Sequence, residues 1–162
     1  MAVKRTGSVK VALNGIRRKL GRGEVLRVGF LEKSRYPNGQ YVATVAAWNE
    51  YGVPQRKQPP RPFFRIAIEK GSANWGHNFG VALKASDFNL STAFGLVGAS
   101  IAGDVQASIR ALWSPPLAKA TILARARGAK HGAIDSPTIG KPLIHTGFML
   151  HSVDFDVQGV GS

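Results

Sequence analysis

The sequence lacks cysteine and is poor in acidic residues, and both shortages exclude classes of protein. None of the 162 residues is a cysteine, which excludes disulfide scaffolds, thiol catalysis, thiolate metal sites and iron–sulfur clusters. Only 9 residues are acidic, against 22 lysines and arginines, so the formal net charge is +13. With so few carboxylates, the sequence offers little material for general acid–base catalysis.

Long apolar runs are also missing. The longest, residues 93–102, covers half of the roughly 20 residues that a membrane-spanning helix needs. No apolar stretch follows the positive charges of the first residues, MAVKRTGSVKV, so a secretory signal is not expected. We therefore expect a soluble, non-secreted chain whose length fits one domain.

The positive charge is concentrated near the start of the chain. Ten of the 22 basic residues, but only two of the nine acidic ones, lie in residues 1–40. This asymmetry favours a polyanionic neighbour or a charged face that steers other proteins. The candidates for contact with DNA or an acidic partner are Lys4, Arg5, Lys10, Arg17, Arg18 and Lys19. Because no helix-turn-helix, zinc-finger or RNP-like motif is found, any DNA contact is expected at the phosphate backbone.

Hydrophobic periodicity predicts the elements of the first half of the chain. Apolar residues at three-to-four spacing predict a helix, whereas the β-branched run after Gly23 predicts a strand. Prolines forbid regular structure over residues 53–62, and Pro62 suits the first position of a helix. The predicted elements are a helix over 9–20, a strand over 24–31, a turn over 35–40, helices over 41–51 and 62–70, and a loop over 71–78.

The second half is predicted to be mainly helical until a final strand. Residues 79–113 predict one long helix with a possible break near 86–91, and Ser114 followed by Pro115 predicts the start of another that runs to 127. A mobile loop over 128–142 and a helical turn over 146–151 follow. Residues 152–158 alternate apolar and polar side chains, which predicts a half-buried strand with Asp154 and Asp156 on its outward face.

Together these elements predict an α+β fold: a small antiparallel sheet packed on one face by several helices, one of them long. We divide the chain into a basic N-terminal arm or helix, residues 1–23, and a single α+β domain, residues 24–162, which contains the mobile loop. Glycine and alanine recur at three-to-four spacing within residues 92–112, which predicts close approach of helices or subunits on that face.

A search for catalytic constellations finds no positive support for an enzyme. The histidines are His77, His131, His145 and His151, and none forms an HxxxH or HxH pair. The sequence contains no G-x-S-x-G element and no phosphate-binding glycine loop. Asp154 and Asp156 could bring two carboxylates together, but the outward face of a strand explains them better. We predict no catalytic residue, no cofactor and no metal site.

Aromatic and arginine side chains cluster between residues 48 and 65. Adjacent aromatics on a helix point about 100° apart, so one of Phe63 and Phe64 is a candidate for outward presentation between Arg61 and Arg65. Aromatic residues beside arginine are typical of interface hot spots. The alternative is that both rings pack in a core. The candidate interface residues are Trp48, Tyr51, Arg61, Phe63, Phe64 and Arg65.

Three stretches in a fixed order carry a resemblance to a known family. They are VGFLE leading to YPNG (28–39), VAAWNEYG leading to PPRPFFR (45–65), and KPLIHTG with the final strand (141–158). This set resembles the neck, or tail-completion, proteins of long-tailed bacteriophages and prophages, which belong to the head–tail joining group. The chain departs from that pattern at His145, where members more often have an acidic residue.

The resemblance implies a structural virion protein without catalysis, in the virion neck and in the host cytoplasm during assembly. It implies a homo-oligomeric ring, a hexamer, around the DNA channel that joins the tail to the head connector. The implied partners are the tail terminator or tube protein, the connector or head-completion proteins and the end of the tape-measure protein. Two alternatives stay open: a tail terminator that caps the tube, and a free basic nucleic-acid-binding protein.

Overall fold

The described part of the chain, residues 6–20, 23–129 and 139–159 of a computed structural model, contains six helices and two strands. A short 3-10 turn, Pro54–Arg56, lies between the second and third helices. The elements are α1 (Thr6–Leu20), β1 (Glu24–Phe30), α2 (Val42–Tyr51), α3 (Phe63–Ala85), α4 (Leu90–Ala111), α5 (Lys119–Ala129), α6 (Phe148–His151) and β2 (Val153–Gly159). The predicted α+β class is confirmed.

The two strands pair antiparallel, although they stand at opposite ends of the described sequence. Leu26 lies opposite Val157, and this face of the sheet is covered by α4. The approach is so close that a Cβ at Gly98 would lie 2.6 Å from the Phe155 ring and 2.8 Å from the Leu26 side chain. The alternation predicted for residues 152–158 is therefore confirmed, with the two aspartates on the other face.

The helices α3 and α4 are the two longest of the described part, and they pack against each other. The predicted break between them is confirmed at residues 86–89. There the side chain of Asn89 caps α4 by accepting a hydrogen bond from the Thr92 amide at 3.0 Å. Of the helices in the described ranges, none is both long and apolar enough to cross a membrane.

The loop predicted over residues 71–78 is wrong, because α3 runs through it without interruption. Gly71 and Gly76 lower the helix propensity of this stretch, which is why the sequence predicted a loop. Packing against α4 overrides that preference. The Trp75 indole covers Gly71, and its Nε1 donates to Oδ2 of Asp104 in α4 at 2.8 Å.

The helix start predicted at Ser114 is also wrong, because α5 begins only at Lys119. Both Ser114 and Pro115 precede a proline, and that position is disfavoured in the helical region. The Ser114–Pro115 peptide bond is cis. The segment between α4 and α5 has no regular structure, and the carbonyl groups of Pro115 and Pro116 accept hydrogen bonds from a side chain outside it.

Part of the predicted mobile loop, residues 128–142, is structured at both ends. Residues 128 and 129 belong to α5, and residues 139–143 form turns held by Arg125, whose Nη1 donates to the Lys141 carbonyl at 2.8 Å. Nζ of Lys141 donates to the Arg110 carbonyl at 3.0 Å. Residues 130–138 lie outside the described part of the chain.

The core lies where α2, the start of α3, the second half of α4 and α6 meet. Its fully buried side chains are Val42, Phe63, Val105 and Ile109. Ser108 fixes the two long helices at this point, because its hydroxyl donates to the Phe63 carbonyl at 2.7 Å. The core therefore joins segments from both halves of the sequence.

Candidate functional site

The start of α3 is held by a carboxylate from another helix. Pro62 stands at the N-cap and offers no side-chain hydrogen bond. The buried carboxylate of Glu50, near the end of α2, provides the cap instead. Its Oε2 accepts a hydrogen bond from the Phe64 amide at 2.8 Å, and its Oε1 accepts one from Nε of Arg65 at 2.8 Å. A carboxylate at a helix N-terminus satisfies free amides and opposes the helix dipole. Glu50 thus fixes the angle between α2 and α3.

The proposed outward presentation of Phe63 needs correction, because its side chain is only 1% exposed. Its ring packs edge-to-face against Phe30 at 6.1 Å between ring centres and against Phe64 at 6.2 Å. Phe64 is half-buried and lies 3.7 Å from where a Cβ of Gly29 would stand. Both rings pack on the core, which is the alternative that the sequence left open.

Arg61 is likewise part of the interior rather than of a free surface, with 5% exposure. Its Nε donates to the Pro115 carbonyl at 3.1 Å and its Nη2 to the Pro116 carbonyl at 3.3 Å. Its own amide donates to the Asn49 carbonyl at 2.6 Å. Arg61 therefore joins α2 to the segment before α5, and it leaves the set of candidate interface residues.

Trp48, Tyr51 and Arg65 are the candidates that keep an accessible surface. Tyr51 is 69% exposed, and the Arg65 guanidinium lies 5.3 Å from the centre of its ring. Trp48 is half-buried beneath Arg56, whose guanidinium lies 4.9 Å from its ring centre. Each pair combines an aromatic face with a cation, which favours a fixed orientation of the arginine.

The basic candidates lie on or before α1. Lys4 and Arg5 fall outside the described residues, and Lys10 and Lys19 lie in α1 with side chains that are not described. Arg17 and Arg18 are exposed near the end of the helix. These two arginines can contact an anionic partner without any rearrangement of the fold.

A cleft of about 980 Å³ opens between α2 with its 3-10 turn on one side and α5 with residues 142–149 on the other. The three sequence stretches that carry the family resemblance all contribute to its wall. Its basic lining residues are Arg56, Lys57, Arg61, Arg125 and His145, and the described lining contains no aspartate or glutamate. Apolar side chains, among them Leu117, Phe148 and Met149, complete it.

Burial changes the acidity of the basic groups in this cleft. It lowers the pKa of Arg61, and it lowers the pKa of Arg125, to which the nearby positive charge of Arg61 adds. Partial desolvation, and then the charge of Arg125, lower the pKa of His145 below its ordinary value. Desolvation is thus the leading cause of all three shifts, and repulsion between the positive charges adds to those of Arg125 and His145.

Sequence reasoning missed Glu50 and Arg125, the two residues that organise this region. Glu50 is the only acidic residue between positions 33 and 68, a weak signal that it has a specific partner. Nothing in the sequence distinguishes Arg125 from its neighbour Arg127, because only the fold turns Arg125 toward residues 139–144. Within the described ranges, no group of three or more histidine or acidic side chains is placed to bind a metal ion.

No family profile matches the chain, and neither a curated protein nor a solved structure does.

Proposed function

We propose that this protein is a structural subunit of a phage virion, of the neck or tail-completion type, that forms a closed ring at the head–tail junction. In that position the ring joins the tail to the head connector around the DNA channel, and the protein carries out no catalysis. Its neighbours are the connector or head-completion proteins on one side and the tail terminator or tube protein on the other, with the tape-measure protein as a further contact.

The observation that carries this proposal is the apolar surface that a single copy leaves uncovered on α1. Val11 is 72% exposed and Leu13 is 58% exposed, although they belong to a well-formed helix. Positions 11 and 13 point about 200° apart around a helix axis, so these two side chains lie on opposite sides of α1. Contact of each side with a different neighbouring copy would bury both, and a closed ring gives every copy two such neighbours.

The placement of the three resembling stretches supports the same proposal. They are far apart in sequence, yet residues from all three line one cleft: Tyr36 from the first, Asn49 and Arg61 from the second, and Gly147 from the third. A shared location is expected when such a set serves one structural purpose. The net charge of +13 is repeated in every copy of a ring, which gives an annulus that attracts DNA or acidic neighbours.

The test is the oligomeric state of the purified protein, measured by light scattering coupled to gel filtration and by negative-stain electron microscopy. We expect rings with a central hole. Leu13→Lys should give monomers, because it places a charge in the subunit contact. Asn14→Lys is the matched control, since residue 14 is also exposed on α1 and the added charge is the same. A wild-type protein that stays monomeric contradicts the proposal.

A second candidate, a free nucleic-acid-binding protein, is favoured by the exposure of Arg17 and Arg18. It predicts that the monomer binds duplex DNA with an affinity that falls steeply as salt rises. A ring subunit that meets DNA only in the channel predicts weak binding by the monomer. Comparing DNA binding by Leu13→Lys monomers and wild-type rings separates the two.

A further inference from the structure

The cleft between α2 and α5 contains two arginines whose described partners are all neutral. Arg61 donates to the carbonyl groups of Pro115 and Pro116. Nη1 of Arg125 donates to the carbonyl groups of Lys141 at 2.8 Å and Ile144 at 3.1 Å. Backbone carbonyls orient a guanidinium but do not cancel its charge. Buried charges in proteins are normally paired with an opposite charge, so Arg61, which is buried, is unusual, and Arg125 beside it is half-buried.

Two further cations stand at the rim of the same cleft. Arg56 ends the 3-10 turn and Lys57 follows it, and both side chains are exposed. Trp48 lies under the Arg56 guanidinium and restricts where it points. The cleft therefore has positive charge on its floor and at its mouth, while the described residues that line it supply no carboxylate.

We infer that this cleft binds an acidic, extended peptide segment of another protein, with carboxylates placed against the arginines and apolar side chains against Leu117, Phe148 and Met149. The volume of about 980 Å³ suits a short peptide, since it lies at the upper end of the range for small-ligand pockets. Bidentate pairing of arginine with carboxylate supplies both affinity and orientation.

The chemistry of the occupant follows from the shape of the cleft and from the sequence. Duplex DNA presents its phosphates on a convex surface, which cannot enter a concave cleft of this size. Another copy of this chain does not supply the segment, because its nine acidic residues alternate with apolar ones at a single place. The closest two, Asp154 and Asp156, are fixed in the paired strand β2. One copy contains the whole cleft, so binding there does not require a ring.

The first experiment is calorimetric titration of the full chain with a capped octapeptide that alternates aspartate and leucine. We expect one peptide to bind per chain. An otherwise identical peptide with asparagine in place of aspartate should bind at least about tenfold more weakly, because it cannot neutralise the guanidinium groups. No binding of the aspartate peptide, or equal binding of both peptides, overturns the inference.

Variants locate the binding. Arg56→Gln combined with Lys57→Asn should weaken binding of the aspartate peptide about tenfold, by removing the rim charges. Asparagine suits position 57, whose φ is +52°. The matched control, Lys70→Gln with Lys84→Gln, removes the same charge from the exposed surface of α3 and should change affinity less than about twofold. An equal loss in both double variants overturns the inference.

A third variant places a competing carboxylate in the cleft. Because Nη1 of Arg125 donates to the carbonyl of Ile144, the residue before position 145, the carboxylate introduced by His145→Asp should pair with that arginine and weaken peptide binding about tenfold. Unchanged affinity would contradict the assigned location.

Short duplex DNA is the final probe: if it binds with the same dependence on Arg56 and Lys57, the cleft is a nucleic-acid site and the inference is wrong. Peptide binding and DNA binding at this cleft do not depend on the oligomeric state of the protein, so the ring proposal is tested separately.

Discussion

Glu50 shows how much one side chain determines in this fold. It lies at the end of α2, yet its two oxygens accept hydrogen bonds from the first turn of α3 and from the Arg65 side chain. Gly52 completes the connection, because its φ is +76° and a Cβ added there would lie 2.8 Å from the Gln58 carbonyl oxygen. The run from Asn49 to Gly52 is therefore a structural corner.

Replacement of that carboxylate is the first prediction. Glu50→Ala should lower the free energy of unfolding by about 2–4 kcal/mol, because the Phe64 and Arg65 amides at the start of α3 lose their charged acceptor. Glu69→Ala is the control, since Glu69 is exposed on the same helix, and it should change stability by less than about 0.5 kcal/mol. Urea denaturation measures both. Equal losses would mean that Glu50 does not cap α3.

A second prediction concerns His145 and pH. Desolvation and the charge of Arg125 lower its pKa in the folded chain, so the unfolded chain takes up the proton first. The neutral imidazole therefore contributes stability above the ordinary histidine pKa, and this is lost as pH falls through the lowered value. His145→Gln should flatten the dependence of the melting temperature on pH between about 7.5 and 5. Parallel wild-type and variant curves would contradict the prediction.

The residue scale was the hardest to predict from sequence. The pair Phe63–Phe64 suggested an outward ring, because neighbouring helical positions diverge. The structure packs both rings on the core, with Phe63 buried and Phe64 half-buried, since β1 and α4 approach that turn from two directions. Contacts between segments that are distant in sequence do not produce a periodic pattern of apolar residues, so the sequence does not reveal them.

At the scale of the elements, packing depends on how closely α4 approaches the sheet. Gly98 faces Phe155 and Leu26, whereas Gly103, five residues later, faces open space. The close packing predicted for the glycine–alanine face thus occurs within the chain, at Gly98. The other two glycines of α4, Gly95 and Gly103, have no neighbouring atoms within 4 Å of an added Cβ.

Substitution of these two glycines is the third prediction. Gly98→Ala should destabilise the protein by about 1–3 kcal/mol, because the new methyl group overlaps the Phe155 ring and the strands must move. Gly103→Ala should stabilise it by about 0.5–1 kcal/mol, because alanine favours the helix and meets no neighbour. Thermal or urea unfolding gives both values. The same sign for the two variants would contradict this account of the packing.

Elements with a strong periodic pattern were predictable. The strand at the end of the chain and the break near residue 86 follow from alternation and from local capping. The prediction of a loop over residues 71–78 was wrong because the contact of Trp75 with α4 stabilises a helix that the glycines disfavour. The predicted start of α5 at Ser114 was wrong because two successive prolines disfavour helical backbone there, and the helix begins at Lys119.

At the scale of the whole molecule, the excess of positive charge determines which partners approach. The fourth prediction is that Arg17→Gln combined with Arg18→Gln lowers the slope of log affinity for DNA against log salt by about 1.8 per subunit, if both contact phosphates. Lys70→Gln with Lys84→Gln removes the same charge elsewhere and should leave that slope unchanged. Fluorescence anisotropy with labelled duplex provides the measurement, and equal changes in both variants would contradict a specific role for α1.

The fold class was predictable at this scale because alternating strands at both ends and helices between them allow few arrangements. The cleft was not, because its floor is built from Arg61 and Arg125, which are separated by two long helices in the sequence. Only the tertiary structure brings their charges together.

The pairing of β1 with β2 has a consequence for synthesis of the protein. As translation proceeds, β1 leaves the ribosome early and has no strand to pair with until β2 emerges, after all six helices. The contact is non-local, so it forms late in folding. A nascent chain that lacks β2 leaves Leu26 and the adjoining face of α4 without the cover that Phe155 provides. Exposed apolar surface of this kind is what makes an incompletely folded chain prone to aggregation.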